Sequence, residues 1–282
     1  MEQVPFIKMH GLGNDFVVLD ARETPISLSA DQAAAIADRR RGVGCDQVIV
    51  LEQARSDMAD VFVRFLNSDG GESLACGNGT RCVASLLMGE TTADQLIIET
   101  GAGLLDAEKA EGGLITVDMG PARLDWREIP LSEACDTLHV NVGAGPLLDA
   151  VCVSMGNPHA VFFVDDAEAV QMEVFGPVLE KDKMFPQFTN VEAVSLRPDG
   201  ALRMRVWERG AGVTQACGTG ACATLVAAVR RGIIPGRKAD VVLDGGTLTI
   251  EWLPDDHVLM TGPVATSFTG TLDPRLLNGG RG

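Results

Sequence analysis

One eight-residue pattern occurs twice in this chain. ACGNGTRC begins at Ala75 and ACGTGACA at Ala216, which sets Cys76 and Cys217 141 residues apart in a chain of 282. Other blocks repeat at nearly the same spacing. VRFLN at 63–67 falls on MRVWE at 204–208, and GNDFVV at 13–18 resembles GNPHAV at 156–161. Gln47 in CDQVIVLE falls on Asn190 in FTNVEAVSL, and Met119-Gly120-Pro121 falls on Thr261-Gly262-Pro263. Five blocks matched in the same order indicate two similarly folded halves rather than two chance glycine turns. Their boundary falls in MGPARLDWREIP, so the expected halves are 1–120 with 264–282, carrying Cys76, and 121–263, carrying Cys217.

Both halves read alike. Short β-branched runs at 16–19, 48–51 and 61–65, then at 151–153, 160–164, 191–195 and 202–206, are bounded by polar turns and predict strands. Each CGxG turn leads into an apolar stretch, GTRCVASLLM at 79–88 and GACATLVAAVRR at 220–231, which ends before a glycine. The second stretch is apolar nearly all round, as a buried helix is, and its arginines sit in the last turn, where the helix dipole favours cations. The expected fold is α+β, with two pseudo-symmetric halves, each a mostly antiparallel sheet or barrel wrapped around a central helix. Aromatics are 5% of the chain and tyrosine is absent, so the core is aliphatic.

A cysteine just before a helix, on a glycine turn, has specific chemistry. First-turn N–H groups form an anion site suited to a carboxylate. The helix dipole pulls a thiol down from its usual value of about 8.5. Glycine lets a ligand approach the backbone. Two such loops around one carboxylate place a thiol on each face of the neighbouring carbon, which suits removing a proton from one face and returning one to the other. Backbone N–H groups at Gly77-Asn78 and Gly218-Thr219 are then placed to stabilise charge building on the carboxylate.

Other uses of the cysteines fit less well. The pairs Cys76/Cys82 and Cys217/Cys222 are spaced more widely than zinc knuckles and run into helix, so no metal is expected. A Cys76–Cys217 disulfide reads as a damage route. Cys82 and Cys222 read as small core residues, while Cys45, Cys135 and Cys152 show no arrangement that demands chemistry. A net charge of −16 leaves no basic face for nucleic acid or an anionic membrane surface. No signal peptide or apolar stretch of spanning length is read, and seven cysteines, an odd number, indicate free thiols in a reducing cytoplasm.

At this point the residues carry a resemblance. ACGNGTRC, WERGAGVTQACGTGACA, HGLGNDFVVLD and MGNPHAVFFV together closely resemble the diaminopimelate epimerase family, in order from Phe6 to about Gly270. Proline and hydroxyproline racemases are related but carry CGHG and DRSPCGTG motifs, where this chain has Cys76-Gly77-Asn78-Gly79 and Glu208-Arg209-Gly210. Phenazine-type isomerases of that fold lack the cysteine pair. The resemblance implies conversion of LL-diaminopimelate to the meso form without pyridoxal phosphate, metal or other cofactor, in lysine and cell-wall precursor synthesis. It implies Cys76 and Cys217 as the acid/base pair, with His159 and Glu208 tuning their pKa values. It implies a substrate pocket of Asn14, Gln47, Asn67, Asn157, Asn190, Glu208 and Arg209, with Gly77, Asn78, Gly218 and Thr219 gripping the reacting carboxylate. An arginine offers a bidentate fork for the distal carboxylate, and asparagines offer both donors and acceptors to a zwitterion. The resemblance also implies a homodimer. Its last motif usually ends in tyrosine, where this chain has Phe268 in GPVATSF, so any dimer is held without that hydroxyl.

Overall fold

The computed structural model describes residues 4–277. The chain divides into two compact units, Met1–Val117 with Pro263–Gly282, and Asp118–Gly262. The stretch 278–282, read from sequence as part of the first half's tail, lies outside the described residues.

The first unit opens with β1 (Val4–Gly11) and β2 (Asn14–Asp20), an antiparallel pair, and the closing strand Ala265–Leu272 lies antiparallel on the other side of β1. Helix α1 (Ala30–Ala37) then carries the chain across to β3 (Gln47–Glu52), which runs parallel to β2. A capping box starts α1. Ser29 accepts from the Gln32 backbone N–H, and the Gln32 side chain accepts from the Ser29 N–H. Strand β4 (Val61–Asn67) pairs antiparallel with β3, followed by the short β5 (Glu72–Ser73) and helix α2 (Gly77–Glu90). Helix α2 is a second crossover, because β6 (Gln95–Thr100) returns parallel to β4. Strands β7 (Gly103–Lys109) and β8 (Ile115–Pro121) continue antiparallel.

The second unit repeats the plan. Strand β9 (Val140–Ala144) pairs with β10 (Leu147–Ser154), which pairs antiparallel with β11 (Pro158–Phe163). Helix α3 (Met172–Glu180) leads to β12 (Asn190–Leu196), parallel to β11, and β13 (Leu202–Glu208) pairs antiparallel with β12. After β14 (Gly212–Val213), helix α4 (Gly218–Arg230) leads to β15 (Lys238–Leu243), parallel to β13, and on to β16 (Gly246–Trp252) and β17 (His257–Gly262). The expected α+β fold with two pseudo-symmetric, mostly antiparallel halves is therefore present. Each half also holds two parallel pairs, at its two helical crossovers.

This layering explains why β3 and β12 are buried along nearly their whole length. Alternate residues face opposite sides of a strand. Val48, Val50 and Leu66 join Leu19 and Ile36 in the core against α1, and Ala160, Phe162, Val191 and Ala193 join Met172 and Leu179 against α3. On the other face lie α2 and α4, with Cys82, Val83, Leu87 and Met88 buried in one and Ala221, Cys222, Leu225 and Val226 in the other. Each buried Leu, Val or Met stabilises by about 1.5–3 kcal/mol, which far exceeds the helix propensity of so glycine-rich a start.

Candidate active site

Each CGxG cysteine is the residue that caps a buried helix. Cys76 precedes α2 in extended conformation, its carbonyl accepts from the Thr80 N–H at 2.8 Å, and its sulfur accepts from the Gly79 N–H at 3.5 Å. Cys217 precedes α4 in the same way, with its carbonyl accepting from the Ala221 N–H at 3.0 Å. Glycine is required at the third helix position for closeness. A Cβ on Gly79 would lie 2.7 Å from the Phe65 ring, and one on Gly220 would lie 3.0 Å from Glu192 Oε1 and 3.2 Å from Cys217 Sγ.

In the first half the fold gathers five of the residues read from the sequence. Asn14 opens β2, Gln47 opens β3 and Asn67 ends β4, where the register pairs Gln47 with Asn67. Gln47 Nε2 donates to Asn67 Oδ1 at 2.8 Å. Asn14 Oδ1 accepts from Asn78 Nδ2 at 3.1 Å and from Cys76 Sγ at 3.8 Å. The amide orientations are set by charged ends. Arg81, fully buried in the first turns of α2, donates to Asn78 Oδ1 at 2.9 Å, and Asn14 Nδ2 donates to Asp46 Oδ2 at 2.8 Å. Cys76 is half-buried, and its sulfur faces the Asn14 amide oxygen and the Gly79 N–H.

In the second half, Asn157 stands just before β11, His159 lies within it, and Asn190 opens β12 opposite His159. His159 is fully buried between Glu192 Oε1, 2.6 Å from Nδ1, and Asn157 Oδ1, 3.0 Å from Nε2. Asn157 Nδ2 donates to Thr219 Oγ1 at 3.3 Å, and that oxygen lies 3.6 Å from Cys217 Sγ. Asn190 is occupied by the protein itself. Its Nδ2 donates to Pro158 O and its Oδ1 accepts from the Arg209 N–H, both at 2.9 Å, so it braces the turn after β13. Arg209 is exposed, and its guanidinium donates to Gln187 O at 3.1 Å. Glu208 Oε1 accepts from the Thr214 hydroxyl.

The electrostatics of Cys217 correct one expectation. A helix N-terminus alone lowers a thiol's pKa. Here burial pushes the Cys217 thiol well up, with the carboxylates of Glu208 and Glu192 pushing the same way. The Thr219 hydroxyl and the Gly220 N–H act against that rise without overcoming it. Cys217 is 4% exposed, so solvent screens little of this. Cys82 and Cys152 are core thiols, pushed up by burial, Cys82 to about 12 and Cys152 beyond the ordinary range. No disulfide links any of the seven cysteines.

Sequence reasoning missed two buried carboxylates. Glu192 is the single acidic residue in NVEAVSL, a run whose β-branched neighbours dominate its reading. Its signal was its match, within the repeat, to Ile49 of the first half. Glu180, at the end of α3, accepts from Trp207 Nε1 at 2.8 Å and from the Gly210 N–H at 2.9 Å, fixing the turn that carries Glu208 and Arg209. Nothing in the local sequence marks it.

Among the described residues no cluster of three or more His, Cys, Asp or Glu could hold a metal ion, and no helix is long and apolar enough to cross a membrane.

Comparison with known proteins follows the same lines. The sequence profile of the family described as diaminopimelate epimerase matches residues 6–124 and 151–267. The diaminopimelate epimerase of Rhodospirillum centenum is 61% identical over 97% of this chain and 94% of its own. That of Acidiphilium cryptum is 55% identical over 97% and 98%. Solved structures share the fold at low identity. A phenazine biosynthesis protein of the PhzF family from Bacillus anthracis superposes with a TM-score of 0.69 at 17% identity, over 96% of this chain and 99% of its own. A hydroxyproline epimerase from Agrobacterium vitis, with bound trans-4-hydroxy-L-proline, superposes at 0.67 and 18%, over 98% and 95%.

Proposed function

The chain belongs to the diaminopimelate epimerase family, and from that premise we propose that it epimerises LL-2,6-diaminopimelate to the meso form, with Cys76 and Cys217 as its two acid/base groups. The observation that carries the reading is the repetition of one device. Each half ends a strand–turn at a cysteine that caps a buried helix, with amide side chains bonded toward it. Two thiols are what inversion at carbon requires. One, as thiolate, takes the α-proton, and the other, as thiol, delivers a proton to the opposite face. Cys217, held up by burial and carboxylates, rests as the S–H form. For the substrate present at higher level, the direction of turnover decides which sulfur acts as base.

The α-proton is removed against a developing carbanion, so the carboxylate beside it needs donors in place before reaction. First-turn N–H groups at Gly77-Asn78 and Gly218-Thr219 supply them under this reading. The distal amino acid is recognised by Asn14, Gln47, Asn67, Asn157, Asn190, Glu208 and Arg209. Asn190 contributes by holding the Arg209 backbone. A site built to satisfy a second ammonium and carboxylate rejects proline, which has neither to offer. No pyridoxal phosphate or metal takes part. The product feeds lysine and cell-wall precursor synthesis, the enzyme works in the cytoplasm, and it acts as a homodimer with Phe268, 50% exposed and packed edge-on against Phe6, near the contact.

The test is incubation with LL-diaminopimelate under reductant, followed by separation of stereoisomers. Formation of meso product by the wild type, and its loss in both Cys76→Ser and Cys217→Ser, is the expected result. Turnover of proline in place of diaminopimelate would overturn the substrate assignment.

A further inference from the structure

The turn that carries Arg209 is held differently from its counterpart in the first half. There, the turn between β4 and β5 satisfies its N–H groups from within: Asn67 N donates to Gly71 O at 2.7 Å, Gly70 N to Asn67 O at 2.8 Å, and Gly71 N to Asp69 Oδ1 at 2.8 Å. It also rests directly on α1, where a Cβ on Gly70 would collide with Ala30 O. In the second half, Arg209, Gly210 and Ala211 join β13 to β14. The Ala211 N–H bonds within the turn, to Glu208 O at 3.1 Å. The Arg209 N–H donates to Asn190 Oδ1 and the Gly210 N–H to Glu180 Oε1, both at 2.9 Å. The fold does not require a carboxylate under this turn, because the first half closes the same hairpin without one.

The bonds to Asn190 and Glu180 lie on either side of one Cα. A peptide unit is planar, so holding the N–H of Arg209 and that of Gly210 fixes both planes that flank the Arg209 Cα, and with them the direction of its side chain. Gly210 stands at φ +75°, which glycine adopts without a Cβ penalty. Glu180, 5% exposed at the end of α3, is itself held on three sides. Its Oε2 accepts from Trp207 Nε1 at 2.8 Å. Its backbone carbonyl accepts from the Thr189 N–H at 3.2 Å, closing the loop whose Gln187 carbonyl takes the Arg209 guanidinium at 3.1 Å. Helix α3 is seated against the same indole, since a Cβ on Gly176 would lie 2.5 Å from Trp207 Cγ. An indole N–H and a backbone N–H only donate, so both Glu180 oxygens accept. Glu208 is anchored separately, by its pairing with Gly212 and by the Thr214 hydroxyl.

We propose that Glu180 is a positioning residue for substrate selection: by holding the peptide after Arg209, it aims the guanidinium at the substrate's distal carboxylate. The inference rests on the reading of Arg209 as the fork for that group. A guanidinium grips a carboxylate bidentately from one direction. An arginine on a loose turn would lose backbone and side-chain freedom at each binding event, and one already aimed loses less. The distal carboxylate takes no part in bond making, so its grip is the same in ground state and transition state. Weakening it raises KM and leaves kcat. Glu208 keeps its own anchors, so its action on Cys217 is unchanged.

Glu180→Met keeps the length of the side chain and removes both acceptors. The readouts are steady-state kinetics on LL-diaminopimelate and hydrogen exchange of the Gly210 amide without substrate. KM should rise about tenfold, the worth of one hydrogen bond to a charged group, with kcat within about twofold of wild type. In an Arg209→Met background, Glu180→Met should lower kcat/KM no further, because there is no guanidinium left to aim. A purely structural role would lower kcat as well and would persist without Arg209. In the wild type the Gly210 amide should be protected although its turn is exposed, and Glu180→Met should release it. An unmoved KM, a fall in kcat as large as the rise in KM, an equal loss in the Arg209→Met background, or an unprotected Gly210 in the wild type overturns the proposal. The wild-type exchange needs no variant, so it decides even if Glu180→Met fails to fold. It is also read without substrate, so inactivity of the wild type on LL-diaminopimelate counts against the proposed substrate, while an unprotected Gly210 counts against Glu180.

Discussion

The two halves of this chain share a backbone plan and differ in what they put beneath the cysteine. Beside Gly79 in the first turn after Cys76 lie Phe65 and Ile49, and the Cys76 sulfur bonds Asn14, an amide held by Asn78 and Asp46. Under Cys217 lie His159 and Glu192, with Glu208 acting on the same sulfur. A duplicated fold gives two thiols on two helix ends. It leaves each thiol's acidity to a few buried side chains, so the halves can be alike in shape and unlike in chemistry.

The largest effect expected is at the sulfurs. Removing either acid/base group, in Cys76→Ser or Cys217→Ser, should lower kcat for epimerisation by at least about 10³-fold, since general acid–base steps contribute on the order of 10²–10⁴ each. Near-equal losses in the two variants fit a mechanism that needs both. A substantial rate left in one breaks the symmetry of roles.

Copying the first half into the second is the next test. His159→Phe with Glu192→Ile should fold, lose about 10²-fold in kcat, and show a raised Tm at neutral pH, because a buried ionisable pair gives way to hydrocarbon. The sign with pH follows from Glu192. Its folded pKa is raised, so its contribution to stability is fully present below the ordinary value of 4.5 and is lost as pH rises through the folded value. The variant's advantage in Tm should therefore shrink as pH falls from neutrality toward about 4.5 and change no further below that.

The first half has the opposite signature. Burial raises the Asp15 carboxyl, but hydrogen bonds and charges from Arg39 and Lys8 outweigh it and bring the pKa from 3.8 to about 2. A lowered carboxylate stabilises above its unfolded value and loses that contribution as pH falls through the folded one. Asp15→Asn should cost about 2 kcal/mol at pH 7 and flatten the acid limb of denaturation between about pH 4 and 2. The glycines sharpen the comparison further. Gly79→Ala drives a methyl against the Phe65 ring and should destabilise by about 1–3 kcal/mol by overpacking. Gly220→Ala meets a carboxylate oxygen and the sulfur itself, so its stability loss should be the smaller and its loss of kcat the larger. The smallest effect expected is in reactivity. Half-buried Cys76 should label with iodoacetamide about tenfold faster than Cys217 at pH 8.

Much of this was legible in the sequence for a physical reason. A repeat exposes itself, and an apolar run after a glycine turn can only be a buried helix. Six of the seven strand runs read from the sequence lie within observed strands, and the seventh, 160–164, runs one residue past the end of β11. Less legible were the directions of the strands, because burial on both faces erases alternation, as in β3 and β12, and α1 and α3 were passed over, which left the parallel pairs unread. Among the site residues, the amides and Glu208 stand in the matched blocks, with Arg209 next to the last of them. Glu192 and Glu180 escaped because a buried carboxylate is defined by partners far off in sequence, His159 for one and Trp207 for the other. The acidity of Cys217 was misjudged for the same reason. The helix end is local and visible, while the carboxylates that outweigh it are not.

The central claim is that one thiol from each half serves a single α-carbon, one removing a proton and the other supplying one. The direct measurement is early turnover of LL-diaminopimelate in deuterated water, with the recovered substrate and the meso product examined separately for label. Two thiols of separate roles predict solvent deuterium at one α-carbon of the product and almost none in the recovered substrate. Label appearing equally in both would show that one group takes and returns the proton, and would contradict the account.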